Sequence, residues 1–250
     1  MPTTKIPTTF PRTHGAVGGA QAKVLIQKTD GMLKVTPSND DIAERYEFCA
    51  DLVDHLNAYC QRKLEEHPDW TVTYNVQRAE RGLRQKVLSG EWPLSEGEIR
   101  WIMTAVAVDQ EEQAGRRRTI EELRKKLTWY TPDQLYALME GRSEDAVATV
   151  GRWEQQKMIF SVEDKGLVRY PKFQFDRHLC PIPIIQKLLG LLSTKDGWAI
   201  CSWFAFQNGW ISNDAGVSIA PFDVLGIRDD DVLTAAKTSP QELTSHDILW

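Results

Sequence analysis

The chain has 250 residues, with 30 Lys and Arg against 35 Asp and Glu, a formal net charge of −5. Its 42% hydrophobic and 9% aromatic content is enough for one large or two small cores, which argues against disorder of the whole. No apolar run approaches the roughly 18 residues a membrane span requires, and the N-terminal MPTTKIPTTFPRTHGAVGGA has no hydrophobic signal core, so a cytoplasmic protein without a membrane segment is expected.

Residues 1–22, rich in Pro, Thr and Gly, read as a flexible tail. GAVGGAQAKV has a passing likeness to a phosphate loop, but it lacks the Gly-Lys-Ser/Thr ending and no strand precedes it. A short strand over 23–27 and the turn signal Thr29, Asp30, Gly31 suggest a hairpin with MLKV. From 40 to 66, Ile42, Tyr46, Cys49, Val53, Leu56, Cys60 and Leu64 recur at steps of three and four, which predicts a helix ended by Pro68. A second helix is expected over 75–89, burying Val76, Ala79, Leu83 and Val87 with Arg78, Arg81, Arg84 and Lys86 on its other face. The capping box Ser95 to Glu98 opens a third, with Ile99, Ile102, Met103 and Val106 inward. Residues 23–114 thus read as a helical bundle without a catalytic signature.

Between 115 and 177 the chain holds thirteen Lys or Arg and ten Asp or Glu, so this stretch is +3 and the rest −8. Arg116, Arg117 and Arg118, joined by Arg124, Lys125 and Lys126 on a following helix, suit a phosphate-contacting arm. Thr131 can cap a helix with Pro132 at its first position and Leu135, Leu138 and Met139 on one face, closed by Gly141. Ser143 is the next cap candidate, before an acidic first turn at Glu144 and Asp145. The helix over 145–158 turns Ala146, Val150 and Trp153 inward and leaves Thr149, Arg152 and Lys157 outward. Residues 159–162 and 167–170 then flank a polar turn, 163–166, as a hairpin that can lay Lys165 and Arg169 along a phosphate backbone. Two short helices, an aromatic anchor and a wing give the order of a small winged helix-turn-helix, with Arg116, Arg117, Arg118, Arg142, Ser143, Thr149, Arg152, Lys157, Lys165 and Arg169 as its DNA-facing residues.

Residues 178–238 read as a further helical domain. Pro181 and Pro183 lead into IIQKLLGLL, and DGWAICSWFAFQNGW follows, with Trp198, Cys201, Ser202 and Ala205 at helical spacing. Trp203, Phe204, Phe206 and Trp210 add more aromatic area than one helix stripe needs, so part of it is available to a partner. Residues 239–250 read as a C-terminal tail. Cys49, Cys60, Cys180 and Cys201 include no CxxC pair and are expected as reduced, mostly buried thiols. The five histidines are scattered, with no HExxH spacing and no Gly-x-Ser-x-Gly elbow, so neither an enzyme nor a cofactor is expected.

The sequences GRW, IFSV and RYPKFQFD, followed by DGWAICSWFAFQNGW, APFDVL and DDDVLTAA, together resemble proteins that join a MerR or excisionase-like helix-turn-helix to the toxin-binding domain of Xre/MbcA/ParS-type antitoxins. The likeness covers about residues 130–236. It implies a DNA-binding antitoxin that represses its own operon and neutralises a RES-type toxin, with Trp203, Asn208, Trp210, Pro221 and Asp223 toward the toxin. The expected molecule is mainly α, with an N-terminal helical bundle, a small winged helix-turn-helix and a C-terminal helical domain, and binds double-stranded DNA as a homodimer. The alternative is a protein-protein adaptor in a cellular or phage-related assembly whose helix-turn-helix serves docking.

Overall fold

The computed structural model describes residues 5–12, 25–29, 32–36, 39–139, 145–192, 194, 196–207 and 209–238. The protein is mainly helical, with a small three-stranded sheet, and divides into two units, residues 1–114 and 115–250. Among the described residues no helix is long and apolar enough to cross a membrane.

In the first unit β1 (Leu25–Thr29) and β2 (Met32–Thr36) pair antiparallel. Next come α1 (Asn39–Glu66), α2 (Val72–Leu88) and the first part of α3 (Glu96–Lys126). Cys49, Leu52, Val53, Leu56 and Cys60 form the buried stripe of α1 at steps of three and four. They cluster with Ala79 and Leu83 of α2 and Ile99, Ile102, Met103 and Val106 of α3. The flexible tail expected over 1–22 needs correction for residues 5–12. Phe10 is 3% exposed in this core, edge-on to Tyr46 at 5.3 Å and to Trp101 at 5.1 Å. One large ring between Pro7 and Pro11 anchors the segment, and a single aromatic leaves no periodicity in a sequence. Residues 13–22 lie outside the described residues.

The capping box closes as expected. Ser95 N donates to Glu98 Oε2 at 2.8 Å, Glu98 N donates to Ser95 Oγ at 3.3 Å, and Arg45 of α1 pairs with the same carboxylate at 2.8 Å. Burial opposes ionisation of Glu98, but the hydrogen bonds from Arg45 and Ser95 together outweigh it and hold the carboxyl below its ordinary value. A carboxylate depressed in the folded state contributes stability above its unfolded pKa, and that contribution is lost as pH falls through the folded value. Denaturant unfolding across the acid range is therefore expected to show stability declining as Glu98 protonates. Glu98→Gln should flatten that part of the profile, and an unaltered pH slope in the variant would refute the assignment.

In the second unit the last part of α3 leads into β3 (Trp129–Tyr130), α4 (Pro132–Met139), α5 (Ala146–Gln155), β4 (Val162–Asp164) and β5 (Leu167–Pro171). The strands are antiparallel in the order β3-β5-β4. A 3₁₀ turn (Lys172–Gln174), α6 (Pro183–Leu191), α7 (Gly197–Ala205), a second 3₁₀ turn (Pro221–Val224) and α8 (Asp229–Thr238) complete it. Arg124–Lys126 were expected on a helix that follows the run Arg116–Arg118. Both runs lie on one continuous helix, because arginines on an exposed face interrupt nothing and Gly115 is carried inside α3.

Every residue of α7 from Trp198 to Ala205 is buried. A helix that is apolar on all sides must be covered on all sides, and its cover comes from both halves of the unit. Leu123, Leu127, Phe160 and Val162 share one core with Ile185, Leu188, Phe204, Val232 and Ala236. The boundary expected at 177/178 therefore does not separate two cores. Two close contacts fix the seam. An added Cβ at Gly197 would stand 2.3 Å from the carbonyl oxygen of Ser161, and Trp198 Nε1 donates to the carbonyl of Glu163 at 3.0 Å. Farther along, the fully buried Gln174 pairs with the backbone of Phe160 at both ends of its amide, accepting from the N–H at 2.9 Å and donating to the carbonyl at 2.9 Å.

Candidate nucleic-acid interface

The hydroxyl of Thr131 accepts from Gln134 N at 3.2 Å and the Gln134 amide oxygen accepts from Thr131 N at 3.0 Å, so α4 opens on a reciprocal cap with Pro132 at its first position. Leu135 and Met139 of α4, Val150 of α5, Ile159, Tyr170 and Phe175 form a small core, with Ala146 and Trp153 partly buried against it. That core sets the rotation of α5. Its inward stripe is Ala146, Val150 and Trp153, as the spacing predicts, and its outward face consists of Val147, Ala148, Gly151, Arg152 and Gln155.

Arg142 and Ser143 lie outside the described residues. The helix they precede is capped by Asp145, whose carboxylate accepts from Ala148 N at 2.9 Å, and not by Ser143 as expected. Asp145 is the residue immediately before the first helical one, the place a cap must occupy. Arg152 is exposed, and its guanidinium donates to the hydroxyl of the half-buried Thr149 at 3.2 Å. Lys157 was expected on this helix but lies past its end, in the left-handed conformation with φ 55°.

The hairpin turns at Lys165 and Gly166, with φ of 53° and 78°. Positive φ at both central residues is the type I′ turn that matches the twist of two-residue hairpins, and it leaves Lys165 exposed at the tip. Glu163 and Asp164, expected in the turn, belong to β4. Asp164 faces inward, 6% exposed; it accepts a hydrogen bond from Arg124 Nε at 3.2 Å and forms an ion pair with Arg169, whose Nε stands at 3.1 Å without hydrogen-bond alignment. A buried carboxylate needs such partners. Arg169 is therefore engaged with β4, and Arg116 with Asp196, the N-cap of α7, at 2.7 Å. Arg117 and Arg118 are exposed on α3.

The residues expected to face a protein partner divide. Trp203 is 6% exposed in the α7 core, edge-on to Phe204 at 4.9 Å, which corrects its assignment to a surface. Pro221 is also buried, at the start of its 3₁₀ turn. Trp210 is 55% exposed and Asp223 is exposed, while Asn208 lies outside the described residues. The aromatic excess in this region is core filling around α7, with Trp210 the exception.

The basic face expected on α2 is largely engaged: Arg84 pairs with Glu80 and Glu96, Lys86 with Glu91, and Arg78 lies 4.8 Å from the Trp70 ring. Cys49, Cys60 and Cys201 are buried, and burial pushes their thiols up, to about 12 for Cys49 and about 11 for Cys60. Cys180 is exposed. Among the described residues no three His, Cys, Asp or Glu side chains gather where they could hold a metal ion.

Sequence reasoning missed Asp164 and Arg124 as a pair, and it missed the uncharged part of the outward face of α5. The latter was legible as the complement of the Ala146, Val150 and Trp153 stripe. No protein-family model, curated protein or solved structure matches the chain.

Proposed function

We propose that residues 115–177 form a winged helix-turn-helix that binds double-stranded DNA, with α5 in the major groove and the β4–β5 hairpin on the backbone. The observation that carries this reading is the order helix, β3, α4, α5, β4, tight turn, β5 with β3-β5-β4 pairing, in which the outward face of α5 bears Arg152 and the turn presents Lys165. Cationic side chains on a helix face and a projecting turn can neutralise phosphates on either side of a groove. A two-fold dimer would double a contact area that is small for one module.

The protein is then a regulator, and the resemblance to antitoxins suggests that its C-terminal part takes a protein, a RES-type toxin, near the exposed Trp210 and Asp223. The test is a gel shift with duplex from upstream of its own coding sequence. Binding should weaken steeply with salt. Arg152→Ala should reduce affinity roughly tenfold, and Lys165→Ala should lower the salt slope by about one. No shift at low salt, or indifference to both changes, would remove the DNA reading in favour of a protein-docking scaffold.

A further inference from the structure

Gly151 sits in the interior of α5, where glycine costs helix stability relative to alanine. Nothing inside the described protein accounts for it, since an added Cβ would meet no atom within 4 Å. Its helical neighbours make it informative. Val147, one turn before, is 59% exposed, Ala148 and Gln155 are exposed, and Arg152 is held beside them by Thr149 at 3.2 Å. The outward face is thus uncharged and low along its middle, with one guanidinium at its flank. Gly82 of α2 and Gly190 of α6 also face open space, but neither lies on the helix proposed to enter the groove.

We propose that Gly151 is a specificity-determining position, left without a side chain so that the base edges of a DNA major groove approach the α5 backbone. This rests on the DNA-binding reading above. Val147 then meets thymine methyl groups, Gln155 pairs with an adenine edge through its amide, and the groove under this face carries A·T pairs. The stretch 115–177 is +3 in a chain of −5, and Arg152 on this face with Lys165 at the exposed hairpin tip suits a polyanion.

The experiment compares wild type with Gly151→Ala, Gly82→Ala and Gln155→Ala in thermal melts and in binding to two duplexes at one salt concentration. One duplex comes from upstream of the coding sequence and the other is unrelated. Both glycine changes should raise the Tm. Gly151→Ala should weaken the upstream duplex by about tenfold and leave the unrelated duplex unchanged, while Gly82→Ala alters neither. Gln155→Ala, which leaves the helix backbone alone, should show the same selective loss and respond less than wild type when A·T pairs in the footprint are exchanged for G·C. Wild-type affinity for the upstream duplex in both Gly151→Ala and Gln155→Ala overturns the proposal while the DNA reading stands. A wild type that binds neither duplex overturns that reading and this inference with it, and loss of a protein partner with DNA binding intact reassigns the face to protein contact.

Discussion

Gln174→Leu is expected to destabilise the second unit by roughly 2–5 kcal/mol, read as a lower denaturant midpoint with an unchanged m-value. The side chain is fully buried, and its amide takes the place of a neighbouring strand for Phe160, satisfying the N–H and the carbonyl at 2.9 Å each. Leucine fills much of the same volume and pairs with neither group. The cost is that of two stranded backbone dipoles in a buried site, not of lost packing. Gln174→Glu sharpens the point. A carboxylate can accept from Phe160 N, but its second oxygen faces the Phe160 carbonyl, so this near-isosteric change should be at least as damaging. A midpoint that moves little in either variant would mean that the backbone of Phe160 finds other partners.

Gly197→Ala is expected to cost about 3 kcal/mol for a single methyl. The added carbon would stand 2.3 Å from the carbonyl oxygen of Ser161 and 3.0 Å from Val162 Cγ1. The first of these is backbone, so no rotamer change relieves it. The N-terminal turn of α7 must withdraw from β4, and the Trp198 Nε1 bond to Glu163, 3.0 Å long, goes with it. Alanine is the better helix former, so helix propensity alone predicts a gain. The sign of the measured change separates the two effects, and a higher Tm would show that α7 does not sit this close to Ser161.

The parts of the fold legible in the sequence are those decided within a few residues. Spacing gave the inward faces of α1 and α5, Ser95 with Glu98 and Thr131 with Pro132 gave two helix starts, and Lys165-Gly166 lies inside the expected turn. Elements whose cause is distant were not legible. Phe10 is ordered by Tyr46 and Trp101, far along the chain. Asp164 resembles a turn aspartate until Arg124 and Arg169 are found around it. Trp203 resembles a spare aromatic until α7 is seen to be covered on every side, and Arg116 resembles a phosphate contact until Asp196 claims it. In the candidate site, charge pointed to the cations, but the uncharged residues of α5 could be found only by asking which face the core leaves over.

The core that joins Phe160 and Val162 to α7 and α8 makes the hairpin and the C-terminal helices a single cooperative unit. Strand β4 is one wall of the space that α7 fills, so an event that loosens α7 loosens the hairpin with it. A duplex held on the hairpin and a protein held on the C-terminal helices, as proposed above, would draw on the same folding equilibrium. Each would raise the share of molecules competent for the other without any contact between them. Communication of this kind would need no moving part, since its messenger would be the fraction of time the shared core stays closed.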